Sequence, residues 1–215
     1  MKILNLYACL GGNRYKWGND HEITAVELDP VLCDLYQERF QNDTVICADA
    51  HEYLLNHFHE FDFIWSSPPC PSHSRARFWA SKGGINKPVY PDMKLYQEII
   101  LLQNYYNGLF CVENVIPFYE PLIPGKKRDR HIYWTNFAIP ETVSNRNISG
   151  IVSSCKNELS KLSEIHDYDF KKYKGNQRVI KIARNLVDYE AGKSILDAAI
   201  YAYEQRQNEQ LTLFQ

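Results

Sequence analysis

Two side chains in this sequence are placed for covalent chemistry. The apolar run Phe61-Asp62-Phe63-Ile64-Trp65 is followed by Ser66-Ser67-Pro68-Pro69-Cys70-Pro71-Ser72-His73-Ser74-Arg75, a short buried strand delivering one cysteine on a proline-stiffened turn. Each proline fixes φ near −65° and removes a backbone donor, so Cys70 belongs on a loop of low conformational freedom, where a nucleophile is displayed. Arg75 and Arg77 stand close enough in sequence to favour the thiolate, the form that attacks. The second group is Glu113. It follows the apolar run Gly108-Leu109-Phe110-Cys111-Val112, and a carboxylate at that strand end would face the cysteine loop as a proton donor. The competing reading makes Cys70 one more small buried hydrophobe among six cysteines.

Positioning these groups takes a sheet whose strands end on one edge. Lys2 to Tyr7 reads as a strand running into Ala8-Cys9-Leu10-Gly11-Gly12-Asn13, a glycine turn opening toward a helix through Arg14 to Trp17. The next strand, Ile23 to Glu27, ends in an acid where a ribose would be held, and a third, Thr44 to Cys47, reaches Asp49, suited to an adenine amino group. Either acid also fits a helix N-cap. Asp29-Pro30 begins a helix carrying Leu32, Leu35, Tyr36 and Phe40, and further helices are expected over His51 to Phe58 and Met93 to Tyr106. The expected fold is α/β and Rossmann-like, a mainly parallel sheet with helices on both faces. No phosphate-binding G-x-x-x-x-G-K-[ST] occurs, so the ligand is a nucleoside without a lysine-cradled phosphate.

The 215 residues suit one domain, and the cysteines form no C-x-x-C pair, which argues against a zinc knuckle or disulfide scaffold and for a reducing, cytoplasmic setting. No signal peptide or membrane span is expected. The net charge of −2 hides an asymmetry. Residues 1–64 hold 11 acids against 4 Lys and Arg, leaving 15 acids against 20 basic residues beyond; a polyanion would meet the second part. Basic residues there alternate with Phe78, Trp79, Tyr90, Tyr96, Phe170 and Tyr173, a pattern suited to nucleic acid. Ala80 to Pro88, with Gly83 and Gly84, reads as a lid.

Taken together, these segments resemble the DNA cytosine-5 methyltransferase family, especially its short phage-type members, in the family's own order. Asn5-Leu6-Tyr7-Ala8-Cys9-Leu10-Gly11-Gly12 is similar to the first S-adenosyl-L-methionine motif, Pro69-Cys70 to the catalytic Pro-Cys with Ser74 as its later serine, and Glu113-Asn114-Val115 to the Glu-Asn-Val motif. Arg128-Asp129-Arg130 resembles the paired-arginine motif, and Arg184-Asn185-Leu186-Val187 the closing motif that packs beside the first. The resemblance implies cofactor contacts from Tyr7, Ala8, Leu10, Gly11, Gly12, Glu27, Leu28, Asp49, Ala50, Pro68, Asn185 and Val187, catalysis by Cys70, Glu113, Arg130 and Arg128, nucleic-acid or lid contacts from Ser74, Arg75, Arg77 and Lys82, and no metal. The implied reaction is methylation of C5 of a cytosine flipped out of double-stranded DNA. The sequence departs from the family at Asn5 for Asp, Cys9 for Gly, Pro71 for Gln and Lys126 for Gln.

Residues 1–139 are expected to form the catalytic core, 140–174 a small target-recognition region, 175–204 a closing helical segment and 205–215 a flexible tail. Gln210-Leu211-Thr212-Leu213-Phe214 in that tail resembles the peptide by which bacterial replication proteins dock on the sliding clamp, through Gln210, Leu211, Leu213 and Phe214. Nothing in the sequence demands a dimer, so a monomer is expected, in a bacterial cell or phage-infected host. Three rival readings remain. An amino-methyltransferase expects an aromatic residue where Cys70 stands, an RNA-directed enzyme would use the same cysteine chemistry, and a catalytically silent nucleic-acid-binding or clamp-binding protein would not bind the cofactor.

Overall fold

In the computed structural model, which describes residues 1–146 and 157–213, seven strands form one sheet. They are β1 (Lys2–Leu6), β2 (Glu22–Glu27), β3 (Thr44–Cys47), β4 (Phe63–Ser66), β5 (Leu109–Val115), β6 (Lys126–Arg128) and β7 (His131–Thr135), in the spatial order β3-β2-β1-β4-β5-β7-β6. The pairs from β3 to β5 are parallel, and β7 and β6 add on in antiparallel fashion. The helices are α1 (Pro30–Arg39), α2 (Ala50–His57), α3 (Arg75–Lys82), α4 (Lys94–Tyr105), α5 (Glu158–His166), α6 (Val179–Asn185) and α7 (Tyr189–Leu213).

Because side chains alternate along a strand, Ile3, Phe63, Trp65, Leu109 and Cys111 pack under α7. Leu4, Leu6, Ile64, Phe110 and Val112 pack under α2 and α4 on the other face. The central strands are therefore buried on both faces, as continuous apolar runs in a parallel sheet require. Chain order reverses between β1 and β4, and there the carboxyl ends of the strands open a crevice.

Several local expectations are corrected. The segment after Gly12 forms one 3-10 turn, Asn13–Lys16, not an α-helix. Its start is pinned by Asn13 Nδ2 donating to Asn5 Oδ1 at 2.7 Å, and Arg14 forms a buried ion pair with Asp43. Ala80, Ser81 and Lys82, expected in a glycine-bearing loop, complete α3. Glu113 sits inside β5, which continues to Val115 because β7 pairs along it. The backbone expected to be a tail from residue 205 continues α7 to Leu213. The described part of the expected recognition region, α5 and Phe170, packs with Leu10, Leu32 and Ile182 into the core.

Candidate active site

One side of the crevice is built from the turns after β1, β2 and β3. Tyr7 and Cys9 adopt left-handed φ of 56° and 49°, with Gly11 at 67°, so the chain reverses direction residue by residue. Cys9 thus stands in a conformation glycine adopts more cheaply. Glu27 stitches two turns together. One of its oxygens accepts from Cys9 N at 2.9 Å, the other from Leu28 N at 2.8 Å and Asp29 N at 2.9 Å. Burial and the Glu27 charge push the Cys9 thiol up to about 12, so it is a neutral filler. Asp49 does serve as an N-cap. Its Oδ1 accepts from His51 N and Glu52 N, bonds that hold its carboxyl below the usual range with help from Lys94, 3.7 Å from Oδ2. A Cβ on Gly12 would lie 2.3 Å from the Val187 carbonyl, so only glycine lets the segment after α6 close against the first turn.

The other side, which carries Cys70, begins where β4 ends. Trp65 Nε1 donates to Ser67 Oγ at 2.8 Å, and Asn114 Nδ2 donates to the Pro68 carbonyl at 2.9 Å, tying the proline turn to β5. Beyond it, His73 N and Ser74 N both donate to the Cys70 carbonyl at 3.0 Å. Cys70 and Glu113 line the same crevice, and burial followed by the Glu113 charge pushes the Cys70 thiol up to about 11. The cation acting on it is Lys181, from α6. Arg75 and Arg77 therefore do not play the expected activating part. Arg75 Nε donates to the Pro117 carbonyl at 3.1 Å, and neither arginine lines the crevice. Glu113 is 6% exposed, with Oε1 3.5 Å from His131 Nε2.

One crevice of about 890 Å³ joins the two sides. Of the expected cofactor residues, Tyr7, Ala8, Gly12, Glu27, Leu28, Asp49, Ala50, Pro68, Asn185 and Val187 line it, together with Cys70, Glu113 and Arg130. Leu10 and Gly11 do not. Leu10 is fully buried beside Leu32 and Ile182, and the Cβ direction of Gly11 is filled by the Phe40 and Tyr36 rings. Arg128 is also corrected. Its guanidinium is held by the carbonyls of Pro140 and Lys127 and by Glu141, away from the crevice. Ser74 is the residue before α3, and Arg75, Arg77 and Lys82 lie on that helix, outside the crevice lining. Lys82 sits over the Phe78 and Trp79 rings, and Trp79 is 66% and Tyr90 93% exposed. The clamp-type residue Phe214 and the side chains of Gln210, Leu211 and Leu213 lie outside the described residues. Sequence reasoning missed His131, Lys181, Lys94 and the Asn114 tie, all set by contacts distant along the chain.

Carboxylates after β2 and β3, with Leu28 and Pro68 lining the same crevice, fit the hydroxyls, amine and ring of a nucleoside cofactor. Among the described residues no group of side chains could hold a metal ion, and no helix is long and apolar enough to cross a membrane. No curated protein sequence matches the chain significantly. Among solved structures, it is similar to a DNMT2 triple mutant from Spodoptera frugiperda, at 25% identity over 53% of this chain and 35% of that one, with a TM-score of 0.38. The chain thus spans about a third of the length of that protein. It is also similar to the Entamoeba histolytica methyltransferase EhMeth, at 13% identity over 73% of this chain and 61% of that one (TM-score 0.41). A third similar structure is a TehB-like SAM-dependent methyltransferase from Corynebacterium glutamicum, at 18% identity over 53% and 54% (TM-score 0.33). The family profile described as C-5 cytosine-specific DNA methylase matches residues 1–120, more than half of the sequence, and the chain belongs to that family.

Proposed function

We propose that this protein methylates C5 of cytosine in DNA, with Cys70 as covalent nucleophile and the target base flipped out of the duplex. The observation that carries this reading is the juxtaposition of Cys70 and Glu113 in one crevice with Glu27 and Asp49. When bound, S-adenosyl-L-methionine would supply an electrophilic methyl group and leave as S-adenosylhomocysteine. Glu27, Asp49 and Leu28 would hold its nucleoside end, in the crevice that Cys70 also lines. A cytosine stacked in a duplex cannot be reached by a loop thiol, so the base leaves the stack at a cost of a few kcal/mol.

Cys70 gives its proton to the Glu113 carboxylate, directly or through water, as its sulfur bonds to C6, which moves an electron pair toward C5 and charge toward N3 and O2. Glu113 then shares that proton with N3, and Arg130 meets the O2 edge or a phosphate. Once C5 carries the methyl group, loss of the C5 proton with expulsion of the Cys70 thiolate restores the aromatic ring. Cys70→Ala should abolish transfer of labelled methyl groups to DNA while cofactor affinity measured by calorimetry stays within about twofold; 5-methylcytosine still formed by that variant would falsify the covalent assignment. Running the same assay on RNA decides the polymer, since label in RNA alone moves the substrate there.

The segment Gln210 to Phe214 is proposed to dock on a bacterial sliding clamp. Removing residues 210–215 should eliminate clamp capture in a pull-down and leave methyl transfer to free oligonucleotides intact. Equal capture with and without the segment removes the proposal.

A further inference from the structure

Helix α4 buries a carboxylate that no step above uses. Glu98 is 0% exposed, and three side chains converge on it. Tyr7 Oη donates to Oε1 at 2.6 Å, His51 Nδ1 lies 3.0 Å from the same oxygen, and Ser66 Oγ donates to Oε2 at 2.6 Å. A buried carboxylate persists only where hydrogen bonds replace its hydration, and here three do.

The partners are not arbitrary. Tyr7 is the first residue after β1, lines the crevice, and holds a left-handed φ of 56° that a bulky residue keeps only when its surroundings fix it. Ser66 ends β4, four residues before Cys70. His51 lies in the first turn of α2, whose cap is Asp49. One carboxylate thus grips the wall of the cofactor pocket, the strand end that launches the nucleophile loop and the helix behind the adenine acid.

Resting on the reading of this crevice as the S-adenosyl-L-methionine site, we propose that Glu98 is a positioning residue: through Tyr7 it sets the cofactor wall, and through Ser66 it sets the height of the cysteine turn. It touches no reacting atom. Its effect is to keep two halves of the site in register, because a shift of α4 would move both at once.

The test separates its two arms. Tyr7→Phe removes only the hydroxyl that meets Glu98, and should weaken binding of S-adenosylhomocysteine about tenfold by calorimetry, the size of one charge-assisted hydrogen bond. Ser66→Ala should instead change the rate at which iodoacetamide alkylates Cys70 by about threefold or more, with cofactor affinity nearly unchanged. Glu98→Gln should move both readouts, and adding Tyr7→Phe to it should weaken binding no further, since both act through one contact. Melting temperature is followed for every variant. If Tyr7→Phe and Ser66→Ala lower it and leave affinity and alkylation rate unchanged, the cluster is structural and the proposal falls, while the cofactor reading stands. No binding by the unaltered protein overturns both.

Discussion

The two rims of the crevice are held very differently. On the cofactor rim the functional groups are engaged by the fold itself: Glu27 accepts three backbone N–H bonds, Asp49 two, and the Tyr7 hydroxyl is bonded to Glu98. On the Cys70 rim the backbone is pinned, through Asn114 and the Cys70 carbonyl, while Cys70 and Glu113 line one crevice and oppose each other electrostatically. The Cys70 thiol is pushed up to about 11 partly by the acid that is to be its partner. Folding therefore finishes the first rim and leaves the second unfinished. A base placed between Cys70 and Glu113 would separate the thiol from the charge that, after burial, adds most to its protonation, and the resting site spends little thiolate on other electrophiles.

That contrast makes its strongest claim about Glu113→Gln. The amide keeps the shape and loses the proton donor and charge, so turnover should fall on the order of 10³-fold, within the usual range for a general acid. Affinity for S-adenosylhomocysteine should stay within about twofold, because the cofactor rim does not depend on Glu113. A parallel loss of cofactor binding in calorimetry would show that the rims are not separable.

Glu27→Gln is the reciprocal change and its effect should be smaller but wider in kind. Both carboxylate oxygens accept from backbone N–H groups, so whichever way the amide is turned one NH2 faces a donor. Stability should drop by about 1 kcal/mol in urea unfolding, the cost of a part-buried bond left unmade, and S-adenosylhomocysteine affinity should fall by roughly tenfold or more. An unchanged unfolding midpoint would mean that Glu27 is reserved for the ligand and that the first rim is no more finished than the second.

What the sequence reveals follows the same division. Glu27, Asp49, Cys70 and Glu113 are legible because each sits at or near the end of an apolar run, and parallel strands deliver such ends to one edge. Leu10 and Gly11 turn away from the crevice, which motif membership cannot reveal: with φ positive at Tyr7, Cys9 and Gly11, Leu10 packs into the core and Gly11 against the Phe40 and Tyr36 rings. Arg128 and Arg130 are two residues apart and chemically alike. The carbonyls of Pro140 and Lys127 and the Glu141 carboxylate withdraw the first, and neither Pro140 nor Glu141 is marked as its partner by spacing. Glu98 reads as an ordinary helix glutamate, and its convergence with Tyr7, His51 and Ser66 exists only once β1, α2 and β4 are neighbours. Lys181 likewise reaches Cys70 from α6, whereas the neighbouring Arg75 is spent on Pro117. Proximity in sequence was a poor guide to electrostatic proximity.

The thiol itself gives the finest measure of how unfinished the second rim is. A free cysteine titrates near 8.5, and burial followed by the Glu113 charge pushes the Cys70 thiol up to about 11, so it is overwhelmingly protonated at neutral pH. Only the thiolate reacts with iodoacetamide. The alkylation rate at Cys70, followed by peptide mass so that Cys9, Cys33, Cys47, Cys111 and Cys155 are counted apart, should therefore climb by about tenfold per pH unit up to pH 10 and level off above about 11. Burial is the larger cause and remains in Glu113→Gln, so that variant should lower the inflection without bringing it to 8.5, while Lys181→Ala, which removes the one favourable charge, should raise it. The direction in Glu113→Gln is decisive: a neutral side chain can no longer oppose the thiolate, so the rate at fixed pH must rise even as methyl transfer collapses. If alkylation and turnover fell together, Glu113 would be activating the resting thiol, and the opposition between them would not be the reason the site waits for its base.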